Sequence, residues 1–207
     1  MGMYLYTVER VMSSNYTMAD IQDLNKLMTN SDNIHHLLGK LFNVNKEENW
    51  RSKYNILYRV DDSTTFKLII KSDKEIDKQA VAANNCRVLS EKNLTVKNGD
   101  SLKVQLAVAP FRRAEGQSKK KIIKTTDERI AWLINKLTHN NECIVKTINE
   151  DHMVMQYMEH PDKAKGSVML AGYNYTVDLT VKDVDGFLKL MQTGIGPQKN
   201  YGFGLMV

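Results

Sequence analysis

The sequence predicts an α+β protein in which one order of elements, β-α-β-β-α-β, is written twice. Three observations predict it. Short runs alternate apolar and polar residues with the period of a half-buried strand, as at Leu102, Val104, Leu106 and Val108. Between such runs, apolar residues recur at the i, i+3, i+4, i+7 spacing of an amphipathic helix, as at Ile34, Leu37, Leu38 and Leu41 and again at Ile130, Leu133, Ile134 and Leu137. A small, polar, flexible stretch, AEGQS at 114–118, separates the halves. A length of 207 residues, 42% of them hydrophobic, suits one large domain or two small ones with packed cores.

The elements follow in order. Residues 4–11 alternate under aromatic and β-branched enrichment and open the chain as a strand. Residues 18–42 carry helical spacing, interrupted at 29–33 by a loop or a new N-cap. Residues 54–60 and 66–70 form a hairpin around the polar stretch 61–65. The stretch 73–93 is ambiguous, with a short helix at about 77–89. Asn98-Gly-Asp100 is a turn leading into the strand at 102–108, which completes a first β-α-β-β-(α)-β set. In the second half, 120–125 starts a strand, and Thr125 with Glu128 forms a capping box for the helix that follows. Residues 143–148, 152–157 and 167–181 are strand material, 184–191 is a last helix ending at Gly194, and 202–207 is a closing strand. The chain therefore reads as two tandem ferredoxin-like (βαββαβ, RRM-like) domains, 1–113 and 119–207, joined by the linker 114–118.

The net charge of +5 is concentrated. Arg112, Arg113, Lys119, Lys120, Lys121 and Lys124 face a single acid, Glu115, so this short segment carries a charge equal to that of the whole chain. Without interleaved aromatics, it suits a clamp on a nucleic-acid backbone better than a platform for stacked bases. No apolar run approaches the roughly 20 residues needed to span a bilayer, and no signal-peptide layout opens the chain, so a soluble cytoplasmic protein with no membrane partner is expected. Cys86 and Cys143 lack zinc-site spacing and are expected as reduced thiols; no metal and no cofactor are expected.

Two places carry chemistry. On the stripe of Ile34, Leu37, Leu38 and Leu41, His35 lies at the edge of the buried face while His36, Gly39 and Lys40 point outward. These are either two helix-surface histidines near a lysine or an imidazole–ammonium pair for proton transfer beside a phosphate, which suits cutting RNA without a metal, since the ribose 2′-OH is already next to its phosphate. Asp61, Asp62, Asp183 and Asp185 read as turn and N-cap residues. The second place is the chain's last segment, where Gly194, Gly196, Gly202 and Gly204 surround Lys199. It is either a helix C-cap and turn into a strand or, in addition, a surface for a phosphate-rich partner.

Three segments together resemble the CasE proteins, the CRISPR-associated repeat-cleaving endoribonucleases of type I-E systems. The run Gln192-Thr-Gly-Ile-Gly-Pro-Gln-Lys-Asn-Tyr-Gly-Phe-Gly-Leu205 looks like that family's glycine-rich loop. Arg129-Ile-Ala-Trp-Leu-Ile-Asn-Lys-Leu137 resembles the helix opening its second domain, and His35 followed by Lys40, Leu41 and Phe42 resembles the helix bearing its catalytic histidine. The resemblance implies two ferredoxin-like domains that bind the hairpin of a CRISPR repeat and cut the precursor 3′ of the stem without metal. It further implies that the protein keeps the mature CRISPR RNA and stays in the type I-E surveillance complex with the other subunits. Carried over, His35 is the proton-transfer residue and Lys40 the charge at the scissile phosphate. The basic segment Arg112 to Lys124 becomes the grip on the hairpin, and Lys199 with the glycines joins the RNA surface. His36, one helical turn from Lys40, is the alternative histidine. Asp32 stands where some members carry a tyrosine three residues before the histidine, which leaves Tyr16 or Tyr201 to assist. The competing function is a non-catalytic RNA-binding scaffold of the same fold. An ordinary RNA-recognition domain fits less well, because Phe66 is the one ring in Phe66-Lys-Leu-Ile-Ile-Lys71.

Overall fold

Strand β1 (Tyr4–Arg10) lies between two antiparallel neighbours, and the computed structural model describes residues 3–11, 17–44, 47–61, 66–113, 120–159 and 166–207. After β1 the chain forms α1 (Met18–Thr29) and α2 (Ser31–Leu41). The break between them is Asn30, extended at φ −127°, whose side chain accepts the Asp32 N–H at 2.9 Å. The interruption at 29–33 is therefore a new N-cap. A single turn, α3 (Trp50–Lys53), precedes the hairpin of β2 (Leu57–Asp61) and β3 (Lys67–Ser72). Helix α4 (Lys78–Ala83), capped by Asp77, then leads into β4 (Cys86–Asn93).

These four strands form one antiparallel sheet in the order β2-β3-β1-β4, the ferredoxin-like order. Apolar side chains of the sheet and of α2 fill its core, among them Tyr6, Val8, Ile34, Leu38, Leu41, Phe42, Tyr58, Leu68 and Ile70. Where the sequence suggests a short helix at about 77–89, the helix is confined to the six residues of α4, and Cys86–Asn93 form an edge strand.

The second sheet starts with β5 (Ser101–Val108), which pairs antiparallel with β9 (Ser167–Val181) in the register Leu106↔Tyr175. Between them lie a two-stranded ribbon of β6 (Phe111–Arg113) and β7 (Lys120–Ile122), helix α5 (Thr126–Thr138) and the long β8 (Cys143–Glu159). Helix α6 (Val184–Thr193) follows β9. The sheet order is β5-β9-β8, and Met206 adds a bridge to Leu106 on the free edge of β5. The 4-1-3-2 order of the first sheet is thus repeated, with the closing strand reduced to a bridge. The shortening has a cause in the chain: residues 199–201 form a 3-10 turn, and Gly202 and Gly204 take φ of +87° and +84°. An added Cβ at Gly204 would meet the Ile195 carbonyl oxygen at 2.5 Å, so only glycine fits. Thr125 caps α5, but its hydroxyl donates to the Glu128 carboxylate at 2.9 Å instead of accepting a helix N–H. Asp183 caps α6, as its position suggests.

The chain divides into two compact units. The first comprises Met1–Leu94, Gln156–Leu170 and Asn200–Gly202; the second comprises Thr95–Met155, Ala171–Lys199 and Phe203–Val207. This differs from the expected 1–113 and 119–207: β5 opens the second sheet and does not close the first. The strand expected at 120–125 is one side of the separate β6–β7 ribbon. The expected linker 114–118 lies outside the described residues.

Candidate active site

Helix α2 buries Ile34, Leu37, Leu38 and Leu41 on one face, which fixes where its histidines go. His35 is half-buried, its ring centroid 4.8 Å from that of Trp50 with the planes tilted by 33°. His36 is exposed, 6.0 Å from His35 between centroids. Burial lowers the His35 pKa below its ordinary value, helped by the positive charge of Arg51 and by His36, while Asp32 pulls the other way. At neutral pH this imidazole is neutral and able to accept a proton.

Around His35 stands a group that sequence reasoning missed. Arg51 is buried; its Nη1 donates to the Asn200 carbonyl at 2.7 Å and its Nη2 to the Ile56 carbonyl at 3.3 Å. The guanidinium lies 5.0 Å from the centroid of the Tyr58 ring, and the Tyr58 hydroxyl donates to the same Asn200 carbonyl at 3.4 Å. Burial holds the Tyr58 pKa up and the Arg51 pKa down, with a smaller electrostatic contribution from Tyr201 to both. Tyr201 is therefore in electrostatic reach of Arg51, whereas Tyr16 lies outside the described residues. The only local hint was a Trp-Arg pair just ahead of a strand. A one-turn helix such as α3 has no periodicity long enough to show which way Arg51 points.

Lys40 does not share this environment. It is exposed and lines a cavity of about 410 Å³ together with His36, Arg10, Asn33 and Asn84. The helical wheel pairs Lys40 with His36, and the structure agrees with the wheel.

In the second unit the basic segment is the β6–β7 ribbon, with Arg112 opposite Lys121 and Arg113 opposite Lys120. Like charges directly opposite each other repel, so the ribbon favours anions along its length. Arg112 is exposed and paired to Glu128 at 2.8 Å, and Lys121 and Lys124 are exposed. Lys119 lies outside the described residues, as do the side chains of Arg113 and Lys120. Gly194, Gly196, Gly202 and Gly204 all take positive φ, from +71° to +87°. Gly194 is the C-cap of α6, and Lys199 is half-buried beside a cavity of this unit. Among the described residues, no three His, Cys, Asp or Glu side chains gather into a group suited to a metal ion. No helix among them is long and apolar enough to cross a membrane.

Fold and site together define a class: a tandem ferredoxin-like protein with a histidine-bearing helix in its first unit and a basic ribbon and glycine-rich turn in its second. The sequence profile of a family of CRISPR-associated proteins matches residues 3–207, and the chain belongs to that family. No curated protein matches it significantly. Among solved structures it is similar to Thermus thermophilus Cse3 bound to an RNA representing a pre-cleavage complex, at 20% identity and a TM-score of 0.77, covering 100% of this chain and 98% of that one. It is similar to Cas6e from Escherichia coli K-12, at 20% identity and a TM-score of 0.70, covering 99% and 97%. A chain of a CRISPR RNA-guided surveillance complex matches at 16% identity and a TM-score of 0.65, covering 99% and 97%. At these identities the likeness establishes the shared fold.

Proposed function

We propose that the protein is a metal-independent endoribonuclease that binds the hairpin of a CRISPR repeat and cuts precursor CRISPR RNA on the 3′ side of the stem. It then stays on its product as a subunit of a type I-E surveillance complex. Family membership supports this, as does a fold shared with a Cse3 that carries RNA and with a surveillance-complex chain. The observation that carries the catalytic part is His35, packed on Trp50 and held below its ordinary pKa by burial and Arg51.

In the reaction, neutral His35 accepts the proton of the ribose 2′-OH as that oxygen attacks the adjacent phosphorus in line. The bond to the 5′-oxygen breaks, and that oxygen takes a proton from water while His35 returns to water the proton it accepted. The products are a free 5′-OH and a 2′,3′-cyclic phosphate, or the 3′-phosphate into which water opens it. Because the nucleophile belongs to the substrate, alignment and proton transfer suffice. Lys40 supplies charge along the RNA backbone from the cavity it lines, the β6–β7 ribbon grips phosphates of the hairpin, and Lys199 adjoins it on the RNA surface. The grouping of His36 with Lys40 and Arg10 favours a second assignment, in which His36 moves the proton.

The test incubates the protein with its repeat hairpin in EDTA. Cutting at one site that His35→Ala slows by about a hundredfold or more, with binding intact, supports His35. Loss with His36→Ala alone reassigns the histidine. RNA bound but uncut by the wild type makes the protein a scaffold, and EDTA-sensitive cutting refutes metal independence.

A further inference from the structure

A cavity of about 530 Å³ in the second unit has no part in the chemistry above. Its walls include Phe111 at the start of β6, Trp132 and Lys136 one turn apart on α5, and Gly196 and Lys199 of the glycine-rich turn. Trp132 is held against that turn: a Cβ added at Gly196, where φ is +77°, would come within 2.9 Å of the indole Cη2. The ring is thus fixed while remaining half-buried. Lys199 is also half-buried, and its pKa is lowered by burial and then by the positive charge of Lys136. Lys136 and Lys199 line the same cavity, and an anion between the two ammonium groups would interact favourably with both.

Two aromatic rings and two lysines around a cavity within the roughly 300–1,000 Å³ range of small-ligand sites match the two parts of a nucleotide, a planar base and a phosphate. An acidic peptide would satisfy the lysines and leave the indole face unused. Phe111 belongs to both the cavity and the basic ribbon, so a strand leaving a duplex held on the ribbon reaches the cavity without a gap. We infer that this cavity is a subsite for one unpaired nucleotide adjoining the hairpin, with its base against Trp132 and Phe111 and its phosphate between Lys136 and Lys199. The subsite presupposes the RNA role proposed above.

The test compares the affinity of the bare repeat hairpin with that of hairpins carrying an unpaired flank on one side or the other. In the wild type one flank raises affinity about tenfold, the scale of one stacked base. In Trp132→Leu and in Lys136→Gln this gain falls to about threefold or less, while Trp132→Phe keeps most of it. Lys136 is exposed, so its variant folds even if Trp132→Leu does not. A flank with no effect on the wild type, or a gain that survives both substitutions, overturns the subsite. Titration with free AMP, followed by tryptophan fluorescence, separates the sources: AMP binding without any flank effect makes a free nucleotide the occupant and overturns the RNA subsite. Failure of the bare hairpin to bind refutes the proposed function itself, a distinct result.

Discussion

Lys71 on β3 is fully buried, its ammonium 3.7 Å from the Asp73 carboxylate, and burial pulls its pKa down to about 8 against the upward pull of Asp73. In the unfolded chain the same lysine titrates near 10.5. Between these values the unfolded state binds more protons, so stability rises with pH across the window and is lost again as pH falls through about 8. Urea midpoints taken from pH 7.5 to 10.5 should climb more steeply for the wild type than for Lys71→Met, and equal slopes would show that Lys71 is not the group responsible. His35 has the same sign. If His35 moves the proton, its lowered pKa puts the acid limb of the cleavage rate below pH 6.5, the ordinary imidazole value. Arg51→Leu, which removes a charge that depresses it, should move that limb upward. A lower rate with an unmoved limb would point to a purely structural role for Arg51. The faces on which His35, His36 and Lys40 lie were legible because a helix reports its own faces, whereas the choice of His35 came from the resemblance. Trp50, Arg51 and Tyr58 were not, because what joins them to α2 is tertiary closure.

The same contrast holds for whole elements. The cap of α2 could be suspected from Thr29-Asn-Ser-Asp-Asn33, and the Asn30 side chain makes it. Asn30→Ala should cost about 1 kcal/mol, read from the urea midpoint. Strand β5 was plain from its alternation, but its sheet was not, since period two tells which residues share a face and nothing about the partner strand. Strand β4 escaped notice because it is an edge, with Arg87, Leu89, Glu91, Lys92 and Asn93 exposed and no apolar stripe to announce it. The ribbon was visible as charge density and as strand material at 120–125; pairing is what sets Arg112 across from Lys121. If the ribbon grips phosphates, Lys121→Ala should weaken hairpin binding and flatten its dependence on log salt by about 0.7–0.9, measured between low and physiological salt.

At the scale of the molecule, the doubled order of elements was enough to name the fold, yet the boundary was misplaced, because each unit recruits segments from far along the chain. The first unit takes in the Tyr157 carbonyl, which accepts the Ser31 hydroxyl at 2.8 Å, and the Asn200 carbonyl, which accepts Arg51. A fragment ending at 113 lacks both. It should unfold at lower urea than the intact chain, and the loss of the charged hydrogen bond alone accounts for about 1.5–3 kcal/mol. Equal midpoints would show that the first unit stands without those segments. The bond from Arg51 to residue 200 has one more consequence. It ends on a main-chain oxygen, so the residue type at position 200 is invisible to it. Position 200 can drift in composition, while a single inserted or deleted residue nearby would hand Arg51 a different carbonyl. What the bond requires there is a spacing along the chain, whichever side chain position 200 carries.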